Sequence, residues 1–371
     1  MKFAVITHVP HTLKEECIYA YAPYVREMNI WGRHVSSVLL VAPDSNSDVP
    51  SVIESPYTMK DIIWKKVPAF SFVTLGQAIR ALFVIPLVFF RILKACRNAD
   101  HIHLRCPGNI GLLGCIVQLF FPGKPKTVKY AGNWDPNAKQ PLSYRLQKWI
   151  LGNSFLTKNM NVLVYGEWPA QSKNILPFFT ATYKEDKKEE IEEKNFFPPW
   201  RFLFVGTLSP GKRPMYALKL IEALYKKGIA VSLDVYGDGV KRNVLEQYSS
   251  ANGLTDLVSF HGNQSAAMIE KAYKESHFLM LPSQSEGWPK VIAEAMFFGL
   301  VPIATPISCV PWMLDNENRG ILLSLSLKTD TDRIAAVLKT PEDLRSKSLA
   351  AKEWSQYYTL NRFEKEIQKL L

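Results

Sequence analysis

Short apolar, β-branched runs alternate with longer stretches of helical periodicity along the chain. In the first half, strands are predicted at 3–7, 35–42, 62–67, 101–105, 126–131 and 162–165, with helices at 15–29, 76–97 and 143–157. The same rhythm returns later, with strands at 202–205, 231–236, 258–260, 278–281 and 301–304 and helices at 214–227, 240–251, 266–275 and 289–298. Alternation of this kind builds a parallel sheet covered by helices on both faces. The segment 341–371 reads as helical throughout.

Between the two series, residues 184–194 (KEDKKEEIEEK) are almost wholly charged, and FFPPW at 196–200 ends the stretch. A segment so polar cannot support a core and is predicted to be a solvated connection. The expected organisation is an α/β chain of two doubly wound Rossmann-like domains facing each other across a cleft. These would be a first domain at 1–182, a charged linker at 183–200 and a second domain at 201–340. Helices at 341–371 would pack back on the first domain. A chain of 371 residues suits two cores rather than one. Ligands are expected at the carboxyl ends of such sheets.

Composition changes the picture in two ways. The net charge is +11, and nearly all of it lies in the first half: residues 1–180 hold 20 Lys and Arg against 10 Asp and Glu. That excess predicts a surface facing something anionic, such as a membrane or a phosphorylated acceptor. No interleaving of basic and aromatic residues points to nucleic acid. The five cysteines (Cys17, Cys96, Cys106, Cys115 and Cys309) form no CxxC pair. A disulfide framework or a structural zinc site is therefore not expected, and a reducing cytosol fits. The apolar start, MKFAVITHVPH, reads as a first buried strand rather than a signal peptide.

The longest apolar run, ALFVIPLVFF at 81–90, is flanked by Arg80 and Arg91. Ten residues cannot cross a bilayer, which needs about 20. On a helix, Arg80, Arg91, Lys94 and Arg97 fall within one arc, beside a broad apolar face. Two readings stand: a core helix packed on a sheet, or a helix lying in a membrane interface with its basic residues at headgroup level.

The most informative stretch is LPSQSEGWPKVIAEAMFFGLVPIAT at 281–305. A buried strand ends, a polar loop follows, and Pro289 is predicted to occupy the first helical position. Gly287 allows a ligand to approach the backbone closely. A helix start of this kind is an anion site, and Lys290 in its first turn suits a bound phosphate. Glu286 and Glu294 flank it. Upstream, FVGTLSPGKRP at 204–214 places Gly206, Lys212 and Arg213 between a strand and a helix opened by Pro214. Backbone amides with Lys212 and Arg213 would neutralise a diphosphate leaving group.

Glu286 and Glu294, separated by seven residues within SEGWPKVIAEAMFFG, resemble the paired-glutamate motif of retaining GT-B glycosyltransferases of family 4. FVGTLSPGKRP resembles the glycine-loop-lysine segment of that family, and LDVYGDG and VSFHGNQS lie where its nucleotide pocket is built. The resemblance covers about residues 202–323. It implies that Lys212 contacts the donor diphosphate, Glu286 the transferred sugar and Glu294 the ribose. It also implies that Gly206, Thr207, Gly237, Gly262 and the Gly287–Trp288–Pro289–Lys290 backbone line the donor. Thr207 stands where the family usually has arginine, and Arg213 could partly substitute.

Acceptor-side candidates are softer. His8 and His11 follow the first strand, His103 and Arg105 end another, and Asn133 and Asp135 follow a third in KYAGNWDP. The family usually places a histidine after that third strand, and none is here. Asp135, with Asn133 beside it, could activate an acceptor hydroxyl.

The resemblance implies transfer of a sugar from a nucleoside diphosphate sugar to an acceptor hydroxyl, with retention and without a metal or other cofactor. The basic first half suggests a saccharide or lipid-linked acceptor of a bacterial surface polysaccharide, capsule or lipopolysaccharide. The protein would then sit peripherally on the inner face of the cytoplasmic membrane. A GT-B-fold sugar-nucleotide epimerase would share the fold and donor pocket. A non-catalytic membrane-surface binding protein would explain the basic half but not the paired carboxylates.

Overall fold

The computed structural model describes every residue except Val52, Val73 and Ile191, and leaves out the side chains of Glu189 and Glu190. Part of the charged stretch expected as a linker therefore lies outside the described residues. The chain divides into two compact units, Met1–Phe179 with Glu364–Leu371, and Thr180–Phe363.

In the first unit the chain runs β1 (Lys2–Ile6), β2 (His11–Lys14), β3 (Cys17–Tyr21), α1 (Ala22–Gly32), β4 (Ser37–Pro43), β5 (Glu54–Pro56) and β6 (Ile62–Val67). It continues through α2 (Leu75–Asn98), β7 (His101–Cys106), α3 (Asn109–Val117), β8 (Lys126–Tyr130), α4 (Leu142–Leu151), β9 (Met160–Tyr165) and β10 (Ile175–Phe178). Among the described residues, seven strands form one parallel sheet in the order β10-β9-β8-β7-β1-β4-β6. Strand order reverses between β1 and β7, because β4 and β6 were added on one side of β1 and β7 to β10 on the other. All six residues of β7 are buried, as expected of a strand covered on both faces.

One predicted helix, at 15–29, is corrected. Residues 11–21 form an antiparallel hairpin, β2 with β3, and α1 begins only at Ala22. The turn is Glu15–Glu16, both with positive φ (49° and 65°), the primed geometry that matches strand twist. Glutamate is a helix former and an uncommon occupant of that conformation, so the local sequence pointed the wrong way.

The second unit runs β11 (Trp200–Val205), α5 (Pro214–Lys226), β12 (Val231–Tyr236), α6 (Arg242–Ala251), β13 (Val258–Gly262), α7 (Ala266–Glu275), β14 (Phe278–Leu281) and α8 (Lys290–Phe297). There follow β15 (Val301–Ala304), α9 (Val310–Met313), β16 (Ile321–Leu322), α10 (Leu327–Val337), α11 (Pro341–Tyr357) and α12 (Leu360–Gln368), whose last turns belong to the first unit. Its sheet is parallel in the order β13-β12-β11-β14-β15-β16. That is the doubly wound Rossmann order, reversing between β11 and β14. The core packs Phe202, Phe204, Leu220 and Ile221 against Phe278 and Val301. Helix α11 braces α8: the Ser355 hydroxyl donates to the Ala293 carbonyl (2.5 Å) and the Gln356 amide to that of Phe297 (3.1 Å).

Candidate functional site

The loops that follow β11 and β14 leave the sheet on either side of the strand-order reversal, and they are bonded to each other. After β11, Gly206 turns with φ +152° and a Cβ there would meet open space. The chain then makes a 3-10 turn at Pro210–Lys212, and Arg213 caps α5 in the left-handed region (φ 50°, ψ 47°). After β14, the Gln284 amide donates to the Gly211 carbonyl at 2.8 Å. The Arg213 guanidinium approaches the Pro282 carbonyl at 3.5 Å. The Lys212 ammonium is paired with the Glu286 carboxylate, both partly exposed.

Lys212, Arg213 and Glu286 are thus gathered just ahead of α8. That helix starts at Lys290, one residue later than predicted: Pro289 (φ −74°, ψ 89°) is its cap rather than its first residue, and no side chain caps the end. An uncapped helix start leaves amides available to an anion. Ser283, which the sequence reading did not single out, is fully buried in the same loop. Its hydroxyl has no partner among the described residues, while its carbonyl accepts from the Thr305 hydroxyl at 2.6 Å.

Glu294 lies four residues into α8, about 6 Å along its axis. Its two oxygens accept from the Thr182 hydroxyl (2.7 Å) and the Tyr273 hydroxyl (3.1 Å). These partners are 112 and 21 residues away in sequence, beyond any local pattern. Burial, and then the Glu294 charge, raise the Tyr273 pKa, so the phenol stays a donor. Gly287 and Trp288 are held from behind. The Gly287 carbonyl accepts from the Ser308 hydroxyl at 3.0 Å. The Trp288 side chain is buried among Trp312, Trp354 and Tyr358.

Glycines continue the site across the sheet. The Gly206 amide donates to the Tyr236 carbonyl (2.9 Å) and the Gly237 amide to that of Gly262 (2.8 Å), so the ends of β11, β12 and β13 are zipped together. Gly237 has φ +130°, and a Cβ there would lie 2.1 Å from the Gly206 oxygen. Gly237→Ala is therefore expected to destabilise the second unit by at least about 2 kcal/mol through strain and overlap, read as a lower denaturant midpoint. Thr207 is exposed on this rim.

In the first unit the predicted residues divide. His11 is buried, its ring bonded to the Val9 carbonyl (2.7 Å) and the Tyr57 hydroxyl (2.8 Å), and burial takes its pKa down to about 4. His103 is buried against Thr127, and burial with nearby Arg105 holds its pKa well below the usual histidine range. Arg105 forms a buried ion pair with Glu27 at 2.5 Å. All three side chains are buried and bonded within the first unit, so none presents an exposed surface. Asn133 and Asp135 are turn-formers: the Asn133 side chain accepts from the Asp135 amide (2.9 Å), and the Asp135 carboxylate from the Asn137 amide (2.8 Å). His8 is different. It is exposed at the reversal between β1 and β7, and a Cβ on Gly108 would lie 2.8 Å from its ring. Desolvation and Arg105 lower its pKa, favouring neutral imidazole.

Residues 186–354 match the family model described as glycosyl transferases group 1. An uncharacterised glycosyltransferase of Haemophilus influenzae is 30% identical over 37% of each chain, so the alignment spans little over a third of that relative. A GDP-mannose:cellobiosyl-diphosphopolyprenol alpha-mannosyltransferase of Xanthomonas oryzae is 23% identical over 72% of each chain. Among solved structures, Anabaena HepE in complex with UDP superposes with a TM-score of 0.68 at 14% identity, covering 99% of this chain and 98% of that one. Residues 186–354 are thus similar to the group 1 glycosyl transferases, on a chain whose two Rossmann-like units have the GT-B fold.

Proposed function

We propose that this protein transfers a sugar from a nucleoside diphosphate sugar to an acceptor hydroxyl, with retention of anomeric configuration. The observation that carries this reading is the meeting of Lys212 and Glu286 at the strand-order reversal of the second unit, ahead of the uncapped start of α8. In the free protein Glu286 holds Lys212 in place. A donor diphosphate competes for the lysine, and the released carboxylate accepts hydroxyls of the transferred sugar. Lys212, Arg213 and the α8 amides take up charge as the bond to the leaving diphosphate breaks, without a metal. Glu294 serves the ribose, with Tyr273 and Thr182 fixing its orientation. His8 is the first-unit residue best placed to meet an acceptor, and its neutral ring suits a proton acceptor.

The Xanthomonas relative is named for a diphosphopolyprenol acceptor and HepE was solved with UDP. Together with the basic first half, these support a lipid-linked acceptor in surface polysaccharide assembly at the inner face of the cytoplasmic membrane. Among the described residues no helix is long and apolar enough to cross a membrane.

Melting-temperature shifts across nucleoside diphosphates and their sugars identify the donor, since a ligand of the native state stabilises it. Transfer to a diphosphopolyprenol saccharide is then assayed with and without a chelator. Product in both arms is expected. Turnover of the donor to an epimer without acceptor would reject the reading. Lys212→Ala is expected to weaken nucleoside diphosphate binding about ten- to a hundredfold and the bare nucleoside little, measured by calorimetry. Equal losses for both would remove Lys212 from the phosphate site.

A further inference from the structure

Helix α2 covers only part of the sheet face beneath it. Lys2, Leu39, Ile63 and Lys65 lie on one face, because Lys2 pairs with Ser37, Leu39 with Ile63 and Val41 with Lys65 across parallel strands. The helix packs Val88, Ile92 and Ala95 on the inner part of that face, against Ala4, Ile6 and Val41. Of the edge strand β6, Val67 is covered but the earlier residues on this face are not, and Ile63 is half exposed. A groove of about 650 Å³ results between β6 and the last turns of α2. Lys2 and Lys65 rise from its floor, and Arg91 and Lys94 line its wall. The Arg91 guanidinium also donates to the Lys66 carbonyl, tying helix to edge strand. Lys66 itself is committed to Asp44 at 2.7 Å. Among the described residues, none lining the groove is acidic, and Lys2, Lys65 and Lys94 form no ion pair.

The outer arc of α2 is apolar. Leu75, Leu82, Phe83 and Phe90 are 80%, 67%, 81% and 65% exposed, and Ile79 and Leu87 lie between them. Along that arc the apolar residues give way to Arg91 and Lys94, the wall of the groove, and no acidic residue occurs in the helix. An apolar patch of this extent on a soluble face marks an interaction site. A free anion would explain the groove but not the adjoining phenylalanines and leucines. A lipid surface explains both.

We infer that the groove between β6 and α2 binds the phosphate headgroup of an anionic phospholipid, with the outer face of α2 set into the acyl boundary. This site rests on the membrane part of the function proposed above and deepens it. It is separate from the reacting centre: Lys2 and Ser37 stand at the amino ends of β1 and β4, whereas His8 follows the carboxyl end of β1.

The test uses the full chain and vesicles of phosphatidylcholine with or without phosphatidylglycerol. Wild type is expected to float with the anionic vesicles at low salt and largely to release at high salt. Changing Lys2, Lys65 and Lys94 together to Gln leaves the Arg91 tie intact. It should weaken binding roughly a hundredfold, at roughly fivefold per cation. A control changing the exposed Lys60, Lys139 and Lys173 to Gln removes the same charge and should bind nearly as wild type. Leu82→Ser with Phe83→Ser and Phe90→Ser should abolish the salt-resistant remainder. Wild type ignoring anionic vesicles would overturn both the groove and the membrane reading. Wild-type binding with equal losses in the groove triple and the control would overturn the groove alone. A concentration-dependent dimer that the serine variant dissolves would assign the apolar face to a second copy and likewise overturn it.

Discussion

Replacing Glu286 by Gln is expected to slow sugar transfer by about two to three orders of magnitude while leaving the melting temperature nearly unchanged. The two halves of this expectation have different physical origins. The Lys212–Glu286 pair is partly exposed, with 28% and 11% of the side chains accessible, so its contribution to stability is small. The loops it joins also keep the Gln284–Gly211 hydrogen bond. Catalysis is more sensitive, because a carboxylate that accepts a sugar hydroxyl while charge develops at the anomeric carbon acts chiefly in the transition state. Glutamine keeps the shape and loses the charge. The loss should therefore fall on kcat more than on KM. Kinetics within about threefold of wild type, on the donor that melting shifts identify, would remove Glu286 from the reaction.

Much of the second unit was legible because its signals are local. The strands 231–236, 278–281 and 301–304 were predicted with the boundaries observed, each a short apolar run bounded by turn residues. Lys212 and Glu286 stand in two loops 74 residues apart. Their contact follows from the β11–β14 adjacency, which hydrophobic periodicity alone does not specify. The partners of Glu294 were invisible for the same reason. In the first unit the failures have another cause. His11 opens the β2–β3 hairpin with its ring bonded to Val9 and Tyr57, while His103 and Arg105 lie within β7, and parallel strands are buried on both faces. A polar side chain there is more often a bonded part of the core. The hairpin at Glu15–Glu16 was missed because its turn uses residues that local propensity assigns to helices. His8 alone of the histidine candidates lies beyond its strand end, and it alone is exposed.

The strongest stability effect in the first unit should come from Glu27, a residue the sequence reading passed over. It sits on α1 and meets the β7 residue Arg105 at 2.5 Å, with both side chains less than a tenth exposed. The Tyr24 ring lies 5.1 Å from the guanidinium. Burial works against the charged arginine, but Glu27 and Tyr24 outweigh it and raise the Arg105 pKa above its ordinary value. The guanidinium therefore stays charged at every pH the fold survives, and removing its partner cannot be relieved by loss of a proton. Glu27→Ala is expected to destabilise the protein by about 3–5 kcal/mol, read from denaturant unfolding. Glu27→Met combined with Arg105→Met fills similar volume without charge and should recover most of that loss, because a buried pair seldom outperforms apolar packing. The double variant also separates structure from chemistry. If it is stable and transfers sugar, Arg105 is a packing residue, as its geometry indicates. If it is stable but inactive, Arg105 has a part in acceptor recognition after all. A Glu27→Ala protein within about 1 kcal/mol of wild type would show that the pair is hydrated in solution rather than buried.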